Sequence, residues 1–223
     1  MPYRRTENVA RRLAARHEAI IAAARAAASE GGMAAVQIAP VARRAGVAAG
    51  TVYRYFPGKA DLIAALVAEI SASEVTALRR AADVAPGPLS ALSAAIMTFA
   101  TRVLRQRRLL FAATAEPVDG VLDATQLAFR QALAEEFSAR IAAAVSGGHL
   151  PAQNASLAAT AVVGLLIETL IGPLAQDPGG QELGQERERV QSLTLIALRA
   201  LGVADARARG LVVQTKLSPD AAR

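Results

Sequence analysis

The 223-residue chain is 53% hydrophobic but only 4% aromatic, and alanine dominates it, so composition favours helix nearly everywhere and gives a sheet little support. Cysteine is absent and His17 and His149 are the only histidines, which excludes disulfides, thiol catalysis and cysteine-ligated zinc. The formal net charge of +6 is unevenly placed: residues 1–59 hold 10 Lys/Arg against 3 Asp/Glu, or +7, and the rest hold 15 against 16, or −1. An N-terminal part this basic has the electrostatic footprint of nucleic-acid binding, with a solvated basic arm as the alternative.

The first seven residues read as disordered, and Arg4 and Arg5 are either solvated or touch phosphate or a minor groove. No apolar run of signal-peptide type follows them, so the cytoplasm is the expected compartment. Asn8 reads as an N-cap, after which Val9, Leu13, Ile20, Ala24 and Ala27 share one helical face as far as Gly31-Gly32. His17 lies near that face as a packing residue. A second helix falls within Val36–Ala45, with a start near Ala39 that puts Pro40 in the first turn, where proline costs nothing. Gly46 tolerates the left-handed conformation that stops this helix, Val47 plugs the turn, and a short third helix starts near Ala49. Helix, tight turn, helix is the arrangement that lays its second helix in a DNA major groove.

Residue chemistry divides the roles. Ala49, Gly50 and Thr51 stand at the end of the third helix that meets base edges; alanine offers thymine a methyl contact, and threonine donates or accepts. The Tyr53 and Tyr55 hydroxyls can reach phosphates, while Val52 and Phe56 belong to the core. Arg43, Arg44 and Arg54 point to solvent or phosphate.

The run Ala45-Gly46-Val47, Gly50-Thr51, Val52, Tyr53, Tyr55-Phe56, Lys59 and Leu62, preceded by Val41-Ala42, resembles the TetR family of bacterial transcriptional repressors (TetR/AcrR type). The resemblance implies an N-terminal three-helix helix-turn-helix DNA-binding domain, a larger helical ligand-binding and dimerisation domain, and Lys59 as a backbone contact. One departure stands out: Ala48 and Ala49 occupy the place of a capping Ser or Thr and a variable residue, so the recognition helix lacks its capping hydroxyl.

Beyond residue 59 the pattern remains helical. Ala60 to Leu78 carries Leu62, Ile63, Leu66, Val67 and Ile70, and ends before Pro86-Gly87-Pro88. Leu89, Leu92, Ile96, Phe99 and Val103 form one apolar stripe, with Arg102, Arg105, Arg107 and Arg108 near its end as a solvated face or an anion site. Leu109–Ala115 continues as a short helix, Asp119-Gly120 reads as a turn, and Leu133, Phe137 and Ile141 mark a helix from Asp123 to Gly147-Gly148. Leu157–Ala175 is apolar nearly all round, but Glu168, Gly164, Gly172 and Pro173 argue against a membrane span and for burial between protein surfaces. With Gln185–Gly202 it is the pair that the resemblance assigns to a four-helix dimer interface.

The expected organisation is all-α: a DNA-binding domain at 1–59, an effector-binding and dimerisation domain at 60–202, and a mostly disordered tail at 203–223, with a further helix at Arg207–Lys216 as the alternative. The resemblance implies a homodimeric repressor, released from an approximately palindromic double-stranded operator by an unidentified small molecule; from the residues, no cofactor, metal, membrane or catalytic residue is expected. Candidate effector contacts are Phe99, Arg102, Phe111, Glu116 and Glu168, the last with an interface role as its alternative. An enzyme is the competing class, but there is no Gly-x-Ser-x-Gly elbow and no phosphate-cradling Gly-Lys-Ser/Thr loop. A helical adaptor that ignores DNA is the other competitor.

Overall fold

The structure is a computed structural model that describes residues 3–116, 121–172, 175 and 183–215. Among the described residues it is built from helices: α1 (Tyr3–Gly31), a 3-10 turn (Met33–Ala35), α2 (Ile38–Arg44), α3 (Ala49–Tyr55), α4 (Lys59–Asp83), α5 (Pro88–Arg105), α6 (Arg107–Thr114), α7 (Val121–Ser146), α8 (Ala155–Leu170), α9 (Leu183–Ala200) and α10 (Asp205–Gln214). None of them is long and apolar enough to cross a membrane.

The N-terminal layer closes on Ile20, Ala24, Met33, Val36, Val41, Val52 and Phe56, with Leu62 and Leu66 entering from α4. Asn8 is not a cap. No proline or glycine separates it from Tyr3, and α1 already runs from Tyr3. The apolar face expected of α1 is also shorter than its sequence pattern, because Val9 and Leu13 are 53% and 43% exposed. Burial begins in earnest at Ile20, where α1 meets the rest of the bundle.

α4 joins the two layers and packs on both α1 and α5. Around α5 the expected single stripe gives way to burial on every side: all residues from Ala91 to Val103 are buried. The cause is encirclement by α4, α6, α7, α8, α9 and α10, which alanines at positions 91, 94, 95 and 100 permit by keeping the helix thin. Arg102 therefore does not lie on a solvated face. Its guanidinium reaches Glu74 of α4 in a two-pronged bond, Nε to Oε2 at 2.7 Å and Nη2 to Oε1 at 2.8 Å, with both side chains nearly sealed from water.

Glu136 of α7 is buried too, held by Arg79 from α4 and by Arg140 one turn on. α8 begins on Asn154, whose Oδ1 accepts the Leu157 N–H at 3.0 Å, satisfying one of the unpaired donors of its first turn. The expected Asp119-Gly120 turn lies outside the described residues. The stretch read as mostly disordered tail instead contains α10 at 205–214, which buries Ala208 and Val212 against α9 and α5. Arg199 and Arg209 both bind Asp205, fixing the start of α10, and the Arg209 and Arg199 guanidiniums hold the Asp205 carboxyl below its ordinary range.

Candidate functional site

The helix-turn-helix is assembled from local backbone chemistry. Pro40 is the third residue of α2, inside the first turn, so its missing N–H leaves no intrahelical bond unmade. At the other end Gly46 adopts φ 67°; its N–H donates to Arg43 O at 3.3 Å and the Val47 N–H to Ala42 O at 3.0 Å. This pairing satisfies the last carbonyls of α2 and turns the chain, while the Val47 side chain packs on the core. α3 then starts at Ala49 with Ala48 as a cap that has no side-chain hydrogen bond; the Thr51 N–H is satisfied by Ala48 O at 2.8 Å instead. Val52 and Phe56, 0% and 4% exposed, anchor α3 from below.

That anchoring decides which side chains remain outward. Arg43, Ala49, Gly50, Tyr53, Arg54 and Lys59 are exposed, and Thr51 is half-buried. A side chain at Gly50 would meet nothing within 4 Å, so the surface there is open to close approach. Two expected contact residues are engaged internally. Arg44 binds both carboxylate oxygens of Glu30 at 2.7 and 2.8 Å. Tyr55 donates its hydroxyl to Leu13 O at 3.2 Å, with its ring beside His17 and Phe56. His17, 5.3 Å from Phe56 between ring centres, is thus a packing residue that ties α1 to α3.

The five candidate effector residues do not converge. Phe99 is 0% exposed in the core, and Phe111 is half-buried against it. Arg102 is bonded to Glu74 and touches a groove beside Arg25 and Arg80. Glu168 lines a cavity of about 420 Å³ between α7 and α8, with Arg130 and Leu127 across it. Glu116 has a different position: its Oε2 accepts the Met33 N–H at 2.9 Å, directly under Gly32. A second contact joins the same parts, because Arg25 of α1 donates to Glu69 of α4 and to Gln106 at the α5–α6 junction, each at 3.0 Å. Sequence reading missed a cavity of about 740 Å³ between α5, α9 and α10, because α10 was not counted among the packed helices.

Comparison with known proteins agrees with this geometry. Residues 20–66 match the family described as bacterial regulatory proteins, tetR family. Over 53 residues the chain is 51% identical to the HTH-type transcriptional repressor KstR of Rhodococcus jostii, a match that covers 24% of this chain and 25% of that relative. The chain thus matches about a quarter of the length of its curated relative, all within a short segment. Similarity of fold extends much further. The structure of RolR in complex with resorcinol superposes with TM-score 0.64 at 21% identity, over 94% of this chain and 98% of that one. The transcriptional regulator FadR from Bacillus subtilis, solved with stearoyl-CoA, gives 0.66 at 19% identity over 79% and 96%. What the comparisons identify by sequence is the helix-turn-helix segment, residues 20–66, as similar to the tetR family of bacterial regulatory proteins.

Proposed function

We propose that the protein is a homodimeric, sequence-specific transcriptional repressor that a small-molecule effector releases from its operator. The observation that carries this reading is the outward side of α2, α3 and the start of α4, where Arg43, Tyr53, Arg54 and Lys59 are exposed, Thr51 is half-buried, and the space at Gly50 is open. Ala49, Gly50 and Thr51 meet base edges, and Tyr53, Arg54, Lys59 and Arg43 hold phosphates. Arg44 and Tyr55 serve chiefly as supports, through Glu30 and Leu13.

A face this small needs a second copy, because seven-residue α3 reaches few bases and lacks a capping side chain. Dimerisation is supported by the apolar residues that the monomer leaves uncovered on its last long helices: Leu157 at 70% and Ile196 at 50% exposure, with Ala161 and Gly164 also open. Small residues there let two backbones approach closely. Two-fold symmetry in turn requires an approximately palindromic operator.

Effector control is supported by the solved relatives, RolR with resorcinol and FadR with stearoyl-CoA, and by the route from the helical domain to the DNA-facing one. Any displacement of α6 pulls on Glu116 and hence on the Met33 backbone ahead of α2, while the α5–α6 junction holds α1 through Gln106 and Arg25. The reading is tested by gel shift on fragments of the gene's own upstream region at two salt concentrations. A protein-dependent shift that weakens with salt supports it; no shift at low salt counts against it.

A further inference from the structure

The cavity between α5, α9 and α10 combines features that the DNA-facing surface does not explain. Met97, Leu104 and Val190 give it an apolar wall, and Val213 closes one side from α10. Arg105 and Arg187 stand on its lining and form no ion pair among the described residues; Glu186 stands beside them, also unpaired. Thr101 lines the same space, yet its hydroxyl is buried without a hydrogen-bond partner. A buried hydroxyl left unsatisfied costs about 1–3 kcal/mol, so its survival in a packed helix asks for a reason.

At about 740 Å³ the space is the size of a small-molecule site, and it is bounded by a helix that is itself tied to α5 through the Ser93–Thr215 hydroxyl contact at 3.0 Å. We infer that this cavity binds an amphipathic carboxylate: an apolar body lies along Met97, Leu104 and Val190, and the carboxylate lies between Arg105 and Arg187. Two guanidiniums against one carboxylate side chain leave the lining with net charge +1, which selects an anion over a neutral analogue. Thr101 supplies a hydroxyl to the ligand after a small rotation. The inference rests on the effector-controlled reading above and assigns its site, placing it against α10 rather than among the five residues considered first.

The test uses the full chain and two probes of equal length, decanoate and decanol, with binding followed by calorimetry in the absence of DNA. Decanoate is expected to bind and decanol to bind at least about tenfold more weakly, because only the acid makes charge-assisted bonds. Arg105→Ala with Arg187→Ala should lower decanoate affinity about tenfold or more and leave decanol unchanged, whereas Glu186→Gln should tighten decanoate binding. Val213→Trp, at a position 73% exposed, fills the cavity mouth without touching the core and should block both probes. Equal binding of acid and alcohol, no binding of decanoate, or indifference of decanoate to the two arginines would overturn the site. Gel shift on the same preparations separates this failure from the other: loss of the ligand site leaves operator binding intact, whereas a protein that never binds its upstream DNA fails the repressor reading itself.

Discussion

Arg102→Ala should be among the most damaging single substitutions in the helical domain. It removes the guanidinium that binds both carboxylate oxygens of Glu74, a side chain with 0% exposure on α4, and leaves its charge in a medium that cannot solvate it. Breaking one side of such a buried pair costs about 3–5 kcal/mol, mostly as the penalty on the stranded partner. At about 2–4 °C per kcal/mol for a domain of this size, the melting temperature should fall by roughly 6–20 °C. Removing both charges gives a different outcome: Arg102→Met with Glu74→Met keeps apolar volume and should recover most of the loss, since an apolar pair often matches a buried ion pair. Thermal and urea unfolding followed by circular dichroism would read both numbers. A loss below about 1 kcal/mol for Arg102→Ala, or a double variant no more stable than the single one, would refute the claim that desolvation dominates at this contact.

Other substitutions test other parts of the structure. Tyr53→Phe and Lys59→Ala should weaken DNA binding similarly across sequences, and Lys59→Ala should reduce the salt slope by about one unit, measured by anisotropy titration at several salt concentrations. Leu157→Asp with Ile196→Asp should shift sedimentation equilibrium towards monomer and weaken operator binding together. Glu116→Ala, which frees the Met33 N–H, should leave operator affinity near wild type but blunt its response to effector, read as the ratio of gel-shift midpoints with and without ligand. The Asp205 carboxyl is held below its ordinary range, so its contribution to docking α10 is present above the unfolded value of about 3.9 and is lost only as pH falls through the lowered one. Asp205→Asn should therefore speed amide exchange in α10 at neutral pH and flatten its change on acidification.

The helix-turn-helix was legible because its determinants are local. Gly46, Val47, Val52 and Phe56 act within a few residues of one another, and the same backbone bonds that close the turn are encoded by a glycine where a left-handed residue is needed. Helices α4, α7 and α9 were legible from periodicity, and α8 from its long apolar run. What stayed hidden depends on distance along the chain. The partner of Arg102 lies on α4, 28 positions away, and no local pattern tells a buried arginine from its exposed neighbours Arg105 and Arg108. Burial of α5 on every side was equally hidden, since alanine fits an exposed face as well as a crowded one. The full length of α1 was missed because Asn8 is a good cap in isolation and an unremarked interior residue when the preceding turn is also helical. α10 was overlooked as a packed element because only Ala208 and Val212 are buried among its charged residues.

The candidate effector residues illustrate the same limit. Glu116 was among the candidate effector contacts, but its use as an acceptor for the Met33 N–H depends on a contact spanning 83 positions. Position along one helix cannot reveal what another helix brings to it.

The central claim, that the outward face of α2 and α3 reads DNA as a pair of copies, is tested most directly by titrating the full chain onto its own upstream fragment and onto a scrambled fragment of equal length and composition. Binding should prefer the native fragment by at least about a thousandfold at physiological salt, fall steeply as salt rises, and saturate at two chains per site. Equal affinity for the two fragments, or saturation by a single chain, would contradict it.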